Sequence, residues 1–169
     1  IVINDSPLKS IVENKHGVGE SVVDTIVRVT NMSFHKKRVV VYGYGWCGRG
    51  IALYAQRRGA DVTVVEIDPI KALEAAMDGF DVAEPSVAAT TAEVVITATG
   101  RPGVVDYPAI EQMPDGVLLA NAGHVDTEID IRQLEQQAPG AELSPSLKRH
   151  DLSNGKSVFS IAEGRIVNL

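Results

Sequence analysis

Three features of the sequence predict its fold class. Short apolar, β-branched runs alternate with segments of helical periodicity. The first run ends in Gly43-Tyr44-Gly45-Trp46-Cys47-Gly48, a Gly-x-Gly-x-x-Gly turn, and the next ends in an acid, Glu66. Together they predict an α/β chain of the Rossmann type, a doubly wound, mostly parallel sheet with helices on both faces.

The elements follow in order. Residues 1–16 are polar, with Pro7 as a breaker, and predict an irregular lead. From residue 18 on, Val22, Val23, Ile26, Val27 and Val29 fall at helical spacing, with Glu20, Asp24 and Arg28 on the opposite face. Residues 31–37 read as a loop, and 38–42 (Arg-Val-Val-Val-Tyr) as a strand buried on both faces. The glycine turn at 43–50 opens a helix running to Arg58, and 62–66 form the second strand. Pro69 sits where a first helical turn tolerates it, starting a helix to Gly79. Further strands are expected at 93–99 and 116–121, with short helices at 107–113 and 131–137. Residues 143–161 read as shorter strands joined by a turn at Ser153-Asn154-Gly155. Strands alternating with helices imply right-handed crossovers. There is no internal repeat, low-complexity tract or second domain.

Composition narrows the function. A chain of 169 residues fits one domain. A net charge of -6 argues against a nucleic-acid surface, which needs a basic patch. No apolar run is long enough to span a membrane. A single cysteine, Cys47, excludes an internal disulfide and a cysteine zinc site and fits a cytoplasmic protein; no metal site is expected. The start at Ile1, without Met or a signal pattern, reads as an excision from a longer protein.

The glycine turn carries the chemistry. Gly43 permits the tight turn, Gly45 removes the Cβ that would block a pyrophosphate, and Gly48 lets the helix pack close to the strand. The helix N-terminus then offers unpaired N–H groups to phosphates. A carboxylate at Glu66 would accept hydrogen bonds from both adenosine-side ribose hydroxyls and repel a 2′-phosphate, selecting NAD over NADP. The bland alternatives are a turn that merely packs and a solvated strand-end glutamate. Trp46 either covers the pyrophosphate or packs; Cys47 reads as a small core filler, and Arg57 and Arg58 as solvent-reaching.

Beyond the glycines, the residues resemble one family. Asn4-Asp5-Ser6 with Lys9-Ser10 and Asn14, then Gly17 and Glu20-Ser21, resemble the lead-in to the cofactor domain of the adenosylhomocysteinases. So do Glu66-Ile67-Asp68-Pro69-Ile70, Ala75-Ala76-Met77, Glu111-Gln112-Met113, Gly123-His124 with Glu128-Ile129-Asp130, and Ala162-Glu163-Gly164-Arg165 with Val167-Asn168-Leu169. The matches run in order along the whole chain. The resemblance implies an NAD-binding domain set between two parts of a substrate domain: a lead-in over 1–16 with substrate-side residues, a hinge-type helix over 17–32, and the Rossmann domain over 33–169. It implies reversible hydrolysis of S-adenosyl-L-homocysteine to adenosine and homocysteine, through NAD-mediated oxidation of the ribose 3′-hydroxyl. The parent would be a homo-oligomer acting on a nucleoside-type small molecule, and the fragment alone would be inactive.

Residue roles follow from the same resemblance. Lys9 would take the 3′-hydroxyl proton, and Glu13 would bind the ribose hydroxyls. Asn14 would contact the cofactor and order Lys9. His124 would reach the nicotinamide edge and the reacting ribose, and Asn168 the carboxamide. Gly43, Gly45, Trp46, Cys47, Gly48, Arg49, Gly50, Glu66, Lys71, Thr99, Asn121, Ala122 and Gly123 would complete the cofactor site. The chain departs from the family at Glu13 (usually Asp), Val18 (commonly Cys), Lys71 (Asn), Trp46-Cys47 (Asp-Val) and Arg49 (Lys). The first two touch the substrate side. A dehydrogenase-type paralogue acting on another hydroxyl compound and a non-catalytic NAD-binding module are therefore the alternatives.

Overall fold

The computed structural model describes residues 6–167. The lead is helical where an irregular segment was expected. It is α-helical at Pro7–Lys9 (α1) and π-helical over Ser10–Val18. It runs directly into α2, Gly19–Thr30. Pro7 opens the helix instead of breaking it, because a first-turn residue needs no N–H. Asn31 ends α2 in the left-handed region and donates its N–H to the Val27 carbonyl at 2.7 Å.

The predicted alternation follows: β1 (Arg38–Tyr42), α3 (Trp46–Arg57), β2 (Asp61–Val65) and α4 (Pro69–Met77). A two-residue strand β3 (Asp81–Val82) and a short α5 (Pro85–Ala89) were not expected, since neither is long enough to show a period. Then come β4 (Val94–Thr97), α6 (Tyr107–Gln112), β5 (Val117–Asn121) and α7 (Ile131–Gln137). Strands β6 (Ala141–Ser144), β7 (Leu147–Asp151) and β8 (Ser157–Ile161) and a 3-10 turn over Ala162–Gly164 close the chain.

The eight strands form one sheet in the order β3-β2-β1-β4-β5-β8-β7-β6. The pairs from β3 through β8 are parallel, whereas β7 runs antiparallel to β8 and β6 to β7. The Ser153-Asn154-Gly155 turn, too short for a crossover, makes the β7–β8 pair a hairpin. The direction of winding reverses between β1 and β4, and in such sheets ligands lie outside the carboxyl ends of the strands at that point.

Each face has its own core. Val39 and Val41 of β1 point to one face with Val22, Val23 and Ile26 of α2 and Ile51 and Ala55 of α3. Val40 and Tyr42 point to the other, with Val95, Leu119, Ile110 of α6 and Leu134 of α7. The apolar run was continuous because both faces of β1 are covered. Helix α2 and the π-helical segment lie close on α3 because Gly19 and Gly50 carry no side chain. A Cβ on Gly50 would overlap the Lys15 carbonyl, and one on Gly19 would lie 2.5 Å from the Gly50 carbonyl carbon.

Candidate functional site

A groove of about 460 Å³ opens at the carboxyl ends of β1, β2 and β4. Gly43, Gly45, Glu66, Asp68, Lys71 and Thr99 are among the residues lining it. Its floor is the glycine turn. Gly43 sits at φ +95°, a region that side chains disfavour, and its N–H donates to the Val65 carbonyl at 2.8 Å. A Cβ on Gly48 would overlap the Gly43 carbonyl oxygen, so this glycine lets α3 start against the turn. A Cβ on Gly45 would meet nothing within 4 Å. Gly45 therefore faces open groove, not packed protein.

The helix that starts there differs from α4, α6 and α7 and, like α2 and α5, has no side-chain cap. Asp68, Asp106 and Asp130 cap α4, α6 and α7 by accepting the N–H groups of Ile70, Ala109 and Gln133, each at 2.9 Å. Helix α3 begins on Gly45 with no side-chain cap, leaving its first N–H groups beside the groove. Open space at Gly45 and an uncapped 12-residue helix fit an anionic diphosphate.

Glu66 stands at the groove edge, half-buried just past β2. Its Oε2 accepts the Tyr44 N–H at 2.7 Å and its Oε1 the Asp68 N–H at 3.0 Å. The carboxylate is thus fixed in place while each oxygen keeps lone-pair capacity for a ribose hydroxyl. Lys71 lies 3.8 Å from Asp68 on the same rim.

The rest of the turn points elsewhere. Arg49 lines a separate small cavity with Lys15, Tyr44 and Asp78. Its guanidinium lies 5.0 Å from the Tyr44 ring and 5.6 Å from the Trp46 ring and bridges Glu74 at 2.5 Å. Trp46 is 44 % exposed. Gly50 is buried against Lys15, a packing position. Burial, with the nearby charge of Glu13, pushes the Cys47 thiol up, so it stays protonated. Arg57 stacks on Tyr54 at 5.3 Å and Arg58 pairs with Asp24.

At the β5 end, Asn121 is fully buried and its amide is committed to the fold. Oδ1 accepts from Thr97 Oγ1 at 3.0 Å and the Gly123 N–H at 2.9 Å; Nδ2 donates to the Val125 and Gly164 carbonyls at 2.9 and 2.8 Å. Ala122 is buried, and its N–H donates to the Thr97 carbonyl at 2.8 Å. His124, next along, is exposed.

On the lead helix, Lys9 and Asn14 are half-buried and Glu13 is exposed. The packing of Lys15 on Gly50 holds this segment beside the start of α3. Asn168 and Asn4 lie outside the described residues. Sequence reasoning missed Arg101 and Val104, groove residues on a loop without a motif, and Asp68, whose Asp-Pro helix start was a usable signal. It also gave no role to Glu128, a carboxylate 0 % exposed beneath the β4 and β5 ends.

A model of the S-adenosyl-L-homocysteine hydrolase NAD-binding domain matches residues 14–169. An adenosylhomocysteinase from Thermotoga maritima is 49% identical over 170 positions, covering all of this chain and 42% of that protein. An S-inosyl-L-homocysteine hydrolase from Methanopyrus kandleri is 47% identical, covering all of this chain and 40% of that protein. The chain thus spans about two-fifths of the length of these relatives. Among solved structures, a dipicolinate synthase from Bacillus halodurans superimposes with a TM-score of 0.72 at 19% identity, over 80% of this chain and 47% of that one. L-Tryptophan dehydrogenase from Nostoc punctiforme gives 0.57 at 20% identity, over 71% and 37%. These two show the fold alone.

Proposed function

The chain belongs to the NAD-binding domain family of the S-adenosyl-L-homocysteine hydrolases, and from that premise we propose that it is the cofactor-holding part of an enzyme that hydrolyses a nucleosidyl-homocysteine. The observation that carries the cofactor half of this reading is the open groove above Gly45, bounded by the uncapped start of α3 and by Glu66. The diphosphate would lie on the α3 N–H groups, with the adenosine ribose on Glu66 and Lys71 at its rim. The other half would extend past Thr99 toward Gly123 and His124. NAD, when bound, supplies the reversible oxidation of a substrate hydroxyl. Lys9 would accept the 3′-hydroxyl proton, Glu13 would hold the ribose hydroxyls, Asn14 would orient Lys9, and His124 would assist at the same carbon.

Three features bear on the parent. The α2 side chains Val22 and Ile26 are 0 % exposed within the core, and the π-helical segment is held on α3 where Lys15 meets Gly50, so both would move with the cofactor domain. Ile70, Leu73 and Met77, at helical spacing on α4, are exposed apolar side chains, as is Ile67 on the groove rim just before it, which supports an oligomeric parent. No described helix is long and apolar enough to cross a membrane, and we place the parent in the cytoplasm, in one-carbon metabolism.

The purine is a separate matter. Relatives of nearly equal identity are named for adenosine and for inosine, so base choice would rest with residues outside this domain. The test uses the parent protein with NAD bound. Adenosine, inosine and S-adenosyl-L-homocysteine are each added, and the rise of enzyme-bound NADH absorbance is followed in a single turnover. A nucleoside of this set should reduce the bound cofactor. No reduction by any of them would reject the substrate class and favour a dehydrogenase-type reaction on another hydroxyl compound.

A further inference from the structure

Glu128 is an acid with nowhere to be solvated. Its side chain is 0 % exposed, and none of the ion pairs among the described residues includes it. Its negative charge is met by three donors from the loop after β4. Oε2 accepts the Thr99 N–H at 2.9 Å and the Thr99 hydroxyl at 2.8 Å, and Oε1 accepts the Gly100 N–H at 2.8 Å. The Thr99 hydroxyl oxygen in turn accepts the Arg101 N–H at 3.1 Å. The same carboxylate lies flat on the loop after β5, where a Cβ on Gly123 would overlap Oε1. The Glu128 backbone is strapped down as well, its carbonyl accepting the Val104 and Val105 N–H groups at 2.8 and 3.0 Å.

One buried carboxylate thus fixes two loops against each other. Thr99 and Arg101 line the groove wall, and Gly123 carries His124. Both follow strands on the β4–β5 side of the point where strand order reverses; the Thr99 methyl packs against Gly43 at the near edge of the glycine turn, and Gly123 lies beyond it, past the end of β5. We propose that Glu128 is a positioning residue for the half of the groove that takes the nicotinamide end of the cofactor, acting through Thr99–Gly100 on one side and Gly123 on the other. The inference rests on reading the groove as the NAD site. A carboxylate is required there because all three partners donate. The amide of a glutamine would turn an N–H against one of those donors, leaving buried groups unpaired.

The test compares two probes, NAD and AMP, in calorimetric titrations of wild-type protein and Glu128→Gln. AMP occupies only the glycine turn and the Glu66 end. The variant should bind AMP within about twofold of wild type and NAD about tenfold or more weakly, the usual scale for an unpaired buried donor. Should the glutamine variant not fold, Glu128→Asp keeps the charge but draws it back by one methylene, and the same split is expected. Unchanged NAD affinity in a folded variant overturns the proposal. So does equal loss of both probes, which marks a general structural role. Wild type that binds AMP but not NAD overturns the underlying reading of the groove, and this inference with it. That outcome is seen before any variant is measured.

Discussion

In the parent protein, Lys9→Ala should slow oxidation of the nucleoside 3′-hydroxyl by about two to four orders of magnitude, the range for loss of a positioned base. The affinity for NAD should change little. Lys9 ends α1, half-buried, and the segment after it is held on α3 by the contact of Lys15 with Gly50. That contact fixes the segment on α3, and Lys9 is not among the groove-lining residues. Stopped-flow absorbance of bound NADH after mixing with the productive nucleoside reads the step. If Lys9→Ala reduces the bound cofactor as fast as wild type, the substrate reading survives and Lys9 loses its role.

Gly45→Val should abolish detectable NAD binding and leave the fold intact. The two halves of that expectation come from one fact. A Cβ at Gly45 meets no protein atom within 4 Å, so the branch point of a valine fits the apo-protein, and Gly45 lines the groove assigned to the diphosphate. The backbone permits the change, since Gly45 is in the extended region at φ -73°. Its neighbours behave differently: a Cβ at Gly48 or Gly50 overlaps backbone carbonyls, so substitution there should damage folding. Circular dichroism and calorimetry on the same sample separate the cases. Normal NAD binding by a folded Gly45→Val protein would make the turn a packing device.

Much of this was readable from residues. β1 and the glycine turn were legible because a strand buried on both faces leaves a continuous apolar run, and each glycine answers a separate steric demand. Helix α7 was placed at its observed bounds, where Asp130 supplies the cap. The lead segment read as irregular because its polarity and Pro7 gave no helical period, whereas the helix packs on α3 where Lys15 meets Gly50, a tertiary contact invisible in local periodicity. At the site, Glu66 announced itself by ending a strand about 20 residues past the glycines. Glu128 did not, because a buried carboxylate is distinguished by its partners, and Thr99 and Gly100 lie 29 and 28 residues away.

The groove with the Glu66 carboxylate at its edge is the proposed seat of NAD. Parallel calorimetric titrations with NAD and NADP test it most directly. Backbone donors from Tyr44 and Asp68 hold Glu66 at the groove edge, where the proposed role is to accept both ribose hydroxyls. A 2′-phosphate would remove one hydroxyl and set a second anion against the carboxylate. NAD should therefore bind more tightly by about 3 kcal/mol, roughly two orders of magnitude in affinity. Glu66→Ala should close most of that gap. Equal affinities for the two cofactors in the wild-type protein, or NADP the tighter, would remove Glu66 from this role.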